Sequence, residues 1–172
     1  NTPEIISFAR NVSGAEMGEP LPKGKGQPVG FASGSEPGKL ETEITAAIKK
    51  WTSQGIGEED IAVLHASGEG KTMILRALKS LSLQFHELER HDVPLDRIKG
   101  IAVSGVDYFK GLERKAVLLS GIDHLQDNPE MLGKIIYRGI SRANFLVCIV
   151  CSNATAVSLT KLLHKNLTDP VT

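Results

Sequence analysis

Short apolar runs that alternate with segments of helical periodicity are the feature of this sequence that most restricts its fold. The runs lie at 61–65, 83–86, 101–103, 116–119 and 145–151, and the helical segments that accompany them at 71–80, 129–143 and 154–165. Runs this short and this apolar are typical of strands in a parallel sheet that helices cover on both faces. The sequence therefore predicts an α/β fold of three layers with a mostly parallel sheet flanked by helices.

The first third of the chain adds two helices to this pattern. An opening helix begins at Pro3 with Thr2 as its N-cap. A second helix over 38–54 carries apolar side chains at helical spacing. Between these helices, residues 13–38 hold 7 of the 17 Gly and 4 of the 8 Pro. This composition predicts a loop inside the domain, around one short strand at 28–33.

Length and charge restrict the organisation and the partners of the chain. Its 172 residues fit a single domain over 1–172, and the start at Asn1 without a Met leads us to expect a fragment of a longer protein. Lys and Arg equal Asp and Glu at 20 each, so the chain lacks the positive field of a freestanding nucleic-acid-binding protein. Any contact with nucleic acid is therefore expected to be local. No signal peptide or apolar stretch of membrane length is present, so no membrane partner is expected. The glycosylation sequons at Asn11, Asn153 and Asn166 are interpreted as chance.

The two cysteines, Cys148 and Cys151, lie within the apolar run at 145–151. A spacing of three places them on opposite faces of a strand, which argues against a chelating or redox pair. We interpret them as buried thiols in a reducing compartment, and expect an intracellular protein of the cytoplasm or nucleus. The His and acidic pairs at 86–87 and 91–92 are interpreted as surface residues, and no metal site is predicted.

Residues 67–72, Ser-Gly-Glu-Gly-Lys-Thr, follow a predicted strand and partly match a phosphate loop. That motif needs a leading glycine for its turn, and His65 stands there instead. Asp123 is the best candidate for an acidic partner to Mg²⁺, and a surface turn explains it equally well. We predict a glycine-rich turn between a strand and a helix, with a solvated Lys71. A freestanding nucleotide-binding site that uses Lys71 and Thr72 is the alternative.

Two segments carry a resemblance to a known family. Residues 110–113 read Lys-Gly-Leu-Glu between two predicted strands, and residues 137–144 read Tyr-Arg-Gly-Ile-Ser-Arg-Ala-Asn before another. Both segments and their spacing resemble the second motor domain of UvrD/Rep-type superfamily 1 helicases, and the resemblance covers nearly the whole chain. It implies a RecA-like fold.

The resemblance also implies a shared ATP site. Arg142 corresponds to the arginine finger that stabilises charge on the transferred phosphoryl group. Gly111, Glu113 and Tyr137 would join Arg142 in facing ATP and Mg²⁺, and Tyr137 would brace the helix that carries Arg142. The phosphate loop would belong to the first RecA-like domain of the same protein, so this chain alone is expected to be inactive. An arginine of the family pattern would lie immediately upstream of Asn1.

The pattern departs from the family on the side that faces nucleic acid. The Thr and His of the family fall on Gly105 and Asp107, and a carboxylate there repels phosphate. Tyr108, Phe109 and Lys110 remain candidate contacts to single-stranded DNA or RNA, since aromatic rings stack on bases. The alternative is a helicase-like scaffold or protein-interaction module without unwinding activity.

Overall fold

The computed structural model describes residues 1–14, 26–88 and 98–168. These residues form five helices and six strands. In chain order the elements are α1 (Pro3–Ser13), β1 (Gly30–Gly34), α2 (Pro37–Ser53), β2 (Ile61–His65), α3 (Gly68–Ser80), β3 (Phe85–Leu88), β4 (Ile101–Gly105), β5 (Arg114–Ser120), α4 (Pro129–Ile140), β6 (Ala143–Ser152) and α5 (Asn153–Thr168). The predicted α/β fold is confirmed.

The six strands form one sheet in the order β1-β6-β5-β2-β4-β3. Every neighbouring pair in it is parallel. All strands therefore begin at one edge of the sheet, here called the amino edge, and end at the other, the carboxyl edge. The prediction of a mostly parallel sheet is confirmed, and among the described strands the sheet is wholly parallel.

Helices cover both faces of this sheet, which explains the continuous apolar runs. One core packs α2 and α3 on the sheet through side chains such as Ile44 and Ile74. The other packs α1, α4 and α5 through side chains such as Ile5, Ile136 and Leu159. Because successive strand residues point to opposite faces of the sheet, each strand contributes side chains to both cores.

The two thiols divide between these cores as the spacing predicts. Cys148 belongs to the core of α2 and α3, and Cys151 to the opposite one. Both are buried and unpaired. Burial raises the pKa of Cys148 to about 11 and that of Cys151 to about 12, with nearby carboxylates adding to the effect. Both are therefore protonated, unreactive thiols at neutral pH.

Two helices, α3 and α4, begin or end at residues other than the predicted ones. α3 begins at Gly68 rather than 71, because the Ser67 hydroxyl accepts a bond from the amide of Gly70 at 3.0 Å. α4 ends at Ile140 rather than 143, because the chain turns directly into β6. Thr2 holds the predicted N-cap position of α1, but its side chain makes no capping bond.

The connection from β4 to β5 crosses the sheet without a helix. Residues 106–113 return the chain from the carboxyl edge to the amino edge beneath the α4 face. Val106 and Phe109 anchor this segment in the core, and Phe109 is fully buried. The segment is called the β4–β5 loop below. None of the helices in the described ranges is long and apolar enough to cross a bilayer.

Candidate functional site

Glu113 and Arg142, which are far apart in the sequence, lie at the starts of neighbouring strands at the amino edge of the sheet. Glu113 immediately precedes β5, and Arg142 immediately precedes β6. The two strands are neighbours, and the amide of Arg114 donates to the carbonyl of Arg142 at 3.0 Å. Their position at the amino edge is unexpected, because ligands of open parallel sheets usually bind at the carboxyl ends of the strands.

Gly111 sets the backbone path toward Glu113. Its φ of +83° lies in the left-handed region, which side chains other than glycine rarely adopt. A Cβ atom there would meet no neighbouring atom within 4 Å, so the backbone conformation, and not a lack of space, favours glycine at this position. Gly111 therefore places a left-handed turn two residues before Glu113.

Arg142 lies half-buried at the end of α4 with most of its donors unused. Its Nε donates to the carbonyl of Arg138 at 3.4 Å. Within residues 1–14, 26–88 and 98–168, no carboxylate forms an ion pair with Arg142 or a basic group with Glu113. Both charged side chains are therefore available to a binding partner.

Neighbouring residues hold the turn that carries Arg142. The side-chain amide of Asn1 donates to the carbonyl of Ser141 at 2.9 Å, which places the start of α1 beside Arg142. Tyr137 is half-buried against the core of α1, α4 and α5. Its carbonyl accepts from the amide of Ser141 at 3.1 Å. Tyr137 thus fastens the last turn of α4 to the core.

The β4–β5 loop divides the predicted nucleic-acid contacts. Lys110 is exposed, and half of the Tyr108 surface is accessible to solvent. The prediction for Phe109 is wrong in this structure, because its ring is fully buried and has no face to offer a base. The apolar spacing of three through Val106, Phe109 and Leu112 is the signal that could have indicated a core position.

Asp107 has a partner that sequence reasoning missed. Its Oδ1 accepts from Nη1 of Arg138 at 3.0 Å, so the carboxylate is paired with a cation of α4. The two residues are 31 positions apart in the chain, and no local pattern connects them.

A cavity of about 500 Å³ opens at the carboxyl edge, around the glycine-rich turn. Its charged and polar lining includes the carboxylates of Glu36, Glu69 and Asp123 together with Thr72, Arg76 and His124, whereas Lys71 does not line it. The Lys71 ammonium instead pairs with Glu87 of β3 at 2.8 Å, which corrects the prediction of a solvated lysine. The three carboxylates disfavour phosphate, since Lys71 does not reach the cavity and Arg76, the one arginine in its lining, is paired with Glu41. The freestanding nucleotide site is not supported.

Asp123 is occupied by structural hydrogen bonds. Its Oδ1 accepts from the amide of Ser152 at 2.6 Å and from the hydroxyl of Thr155 at 2.8 Å. These bonds join the end of β5 to the start of α5. Asp123 is therefore a poor candidate for an Mg²⁺ ligand.

The part of the chain that the structure describes holds no group of three or more His, Cys, Asp or Glu side chains that could bind a metal. His86 is exposed on β3. The pair at 91–92 lies outside the described residues.

Comparisons with known proteins give a match by structure and none by sequence. No protein-family model and no curated protein matches the chain. The C-terminal domain of a possible DNA helicase from Lactobacillus plantarum WCFS1 matches with a TM-score of 0.69 and 17% identity, over 94% of each chain. The chain has the fold of a helicase RecA-like domain. Arterivirus nonstructural protein 10, a helicase solved with DNA, matches with a TM-score of 0.48 and 11% identity, over 85% of this chain and 31% of that one.

Proposed function

We propose that this chain is the second motor domain of an ATP-dependent DNA or RNA helicase, or nucleic-acid-dependent ATPase, of the UvrD/Rep type. Arg142 acts in this proposal as an arginine finger toward an ATP site shared with a first RecA-like domain. The observation that carries the proposal is the placement of Glu113 and Arg142 at the starts of two neighbouring strands, at one edge of the sheet. Both residues belong to segments that resemble the family, and neither has an ion-pair partner among the described residues.

The available donors of Arg142 fit the chemistry of phosphoryl transfer. ATP with Mg²⁺ supplies the phosphoryl group when it is bound, and charge then spreads over the oxygens of that group. A guanidinium held by its Nε but with unused Nη donors can enter such a site when two domains close. Glu113, placed by the turn at Gly111, adds an acceptor on the same edge.

The described residues provide only one wall of this site. The glycine-rich turn at 67–72 lies at the opposite edge of the sheet, and its lysine is paired with Glu87. The phosphate loop and the Mg²⁺ ligands are therefore assigned to the first motor domain, and this chain alone is expected not to hydrolyse ATP.

Tyr108 and Lys110 are the remaining candidate contacts to single-stranded nucleic acid. Both are exposed on the β4–β5 loop, where an aromatic ring and an ammonium suit a base and a phosphate. The ion pair to Arg138 partly neutralises Asp107, which reduces its repulsion of phosphate.

A helicase-like scaffold without unwinding activity is the second candidate. The observation that favours it is the carboxylate at Asp107, a position where the family pattern has a residue that faces nucleic acid. In this structure the carboxylate instead accepts a hydrogen bond from Arg138 of the same chain. The zero net charge of the chain points the same way.

The test is Arg142→Ala in the protein that also contains the first motor domain. ATP turnover is expected to fall by about 10³-fold or more, because an arginine finger contributes at the transition state. ATP binding, measured by calorimetry, is expected to stay within a few-fold. Arg76→Ala is the matched control, since Arg76 is an exposed arginine beside the cavity at the carboxyl edge. Unchanged turnover in Arg142→Ala would contradict the proposal and favour the scaffold.

A further inference from the structure

The last turn of α4 and the short turn after it, which carries Arg142, are tied to the rest of the domain at three points. The Asn1 side chain bonds the carbonyl of Ser141, and the amide of Arg114 bonds the carbonyl of Arg142. The third tie is the ion pair of Arg138 with Asp107 on the β4–β5 loop. Only this third tie joins two side chains, so it alone depends on the charges of both residues.

The β4–β5 loop is a firm anchor for that ion pair. Val106 and Phe109, on either side of Asp107, are buried in the core. The amides of Tyr108 and Phe109 both donate to the carbonyl of Gly105, at 3.1 and 3.2 Å. Asp107 is therefore held in place relative to the sheet, and it can restrain Arg138 rather than follow it.

Arg138 lies one helical turn before Arg142, and the two interact directly. The carbonyl of Arg138 accepts from Nε of Arg142 at 3.4 Å. Two cations at this spacing repel each other unless one is neutralised. Asp107 supplies the neutralising charge and draws the Arg138 side chain toward the β4–β5 loop.

We infer that Asp107 is a positioning residue, which acts through Arg138 to hold the last turn of α4 and keep Arg142 oriented toward the shared site. The same ion pair connects the loop that carries Tyr108 and Lys110 with the helix that directly precedes Arg142. The inference rests on the proposed function, because it names what orients the finger of that site.

The size of the effect follows from the exposure of the pair. The side chains of Arg138 and Asp107 are 53% and 72% exposed, so the pair contributes little to global stability. Its effect is expected in the orientation of Arg142, and hence in kcat rather than in the KM for ATP.

The experiment is a charge-reversal cycle in the protein that contains the first motor domain. Asp107→Arg and Arg138→Asp are each expected to lower kcat about threefold to tenfold with the KM for ATP unchanged, because each places two like charges together. The double variant again places opposite charges at positions 107 and 138, with their signs exchanged. It is expected to return kcat to within about twofold of the wild type. The control is the reversal of Glu130 and Lys134, an exposed ion pair on the same helix, which is expected to change nothing.

Amide hydrogen exchange of the 139–143 segment in the same protein gives a readout that needs no activity. Each single reversal is expected to speed exchange there, and the double variant to slow it again. The inference is overturned if the double variant restores neither kcat nor slow amide exchange relative to the single variants. It is also overturned if reversing Glu130 and Lys134 changes kcat or amide exchange as much as reversing Asp107 and Arg138. If Arg142→Ala leaves turnover unchanged, the proposed function fails and the inference fails with it. If Arg142→Ala abolishes turnover but the cycle shows no rescue, the inference alone fails.

Discussion

At the scale of single residues, Gly70 of α3 and Gly121 after β5 pack backbone against backbone. A Cβ on Gly70 would lie 2.5 Å from the Cα of Gly121, and one on Gly121 would lie 2.6 Å from the Cα of Gly70. The Ser67 hydroxyl joins the same two segments by donating to the carbonyl of Gly121 at 3.0 Å. The glycine that resembled part of a phosphate loop is therefore explained by close packing of two backbones.

Gly70→Ala is expected to destabilise the domain by about 1–3 kcal/mol, because the methyl group meets backbone that cannot move aside. The measurement is the free energy of unfolding from urea titration. Gly68→Ala is the matched control, since Gly68 opens the same helix and a Cβ there meets nothing within 4 Å. The control is expected to be neutral or to stabilise by up to about 1 kcal/mol. Equal losses in the two variants would rule out the packing explanation.

At the scale of elements, the joint between β6 and α5 depends on a side chain from a third segment. The Ser152 hydroxyl caps α5 by accepting from the amide of Thr155 at 3.2 Å. Asp123 then bonds both the amide of Ser152 and the hydroxyl of Thr155. The direction in which α5 leaves the sheet is therefore set from the end of β5, which periodicity along the chain does not show.

Removing the Asp123 carboxylate is expected to weaken this joint. Asp123→Ala leaves the amide of Ser152 without its acceptor and the buried hydroxyl of Thr155 with only the Ser152 hydroxyl as a partner, which costs about 1–3 kcal/mol of the free energy of unfolding. Asp123→Asn keeps one acceptor oxygen and is expected to lose less. His124→Ala, at the exposed neighbouring position, is the control. Comparable stability of Asp123→Ala and His124→Ala in urea titrations would contradict the role of Asp123.

At the scale of the whole molecule, the sheet separates two cores and places one thiol in each. Burial keeps both thiols protonated in the folded state, with pKa values of about 11 and about 12 against an ordinary 9.0. Because these pKa values are raised, the thiols contribute fully to stability below pH 9. That contribution is lost as the pH rises through 9 toward 11, where the unfolded chain releases its thiol protons first.

The free energy of unfolding is therefore expected to fall between pH 8 and pH 10.5, by about 1–2 kcal/mol for each thiol. Urea titrations at the two pH values measure the change. Lysine and tyrosine side chains also titrate in this interval, so the comparison is with Cys148→Ala/Cys151→Ala, in which the fall should be smaller. An identical fall in both proteins would show that the thiols do not cause it.

Much of the fold was predictable because its cause is local. Buried parallel strands must be apolar on both faces, so their positions show directly in the sequence, and the five apolar runs match β2 to β6 to within a few residues. The short strand predicted at 28–33 likewise matches β1. Element ends were less predictable, as at α3 and α4, because capping and chain reversal decide them. In the candidate site, the motif singled out Gly111 and Glu113, whereas the burial of Phe109 beside the exposed Tyr108 could not be predicted from it.

By itself, the sequence determined the layered α/β architecture, the opposite faces of Cys148 and Cys151, and the two segments that carry Glu113 and Arg142. Hydrophobic periodicity and short motifs encode such features within a few consecutive residues. Only the tertiary structure decided that Glu113 and Arg142 lie on neighbouring strands at the amino edge, that Asp107 pairs with Arg138, and that Lys71 pairs with Glu87. Each of these arrangements joins segments distant in the chain, and strand order and helix placement bring them together.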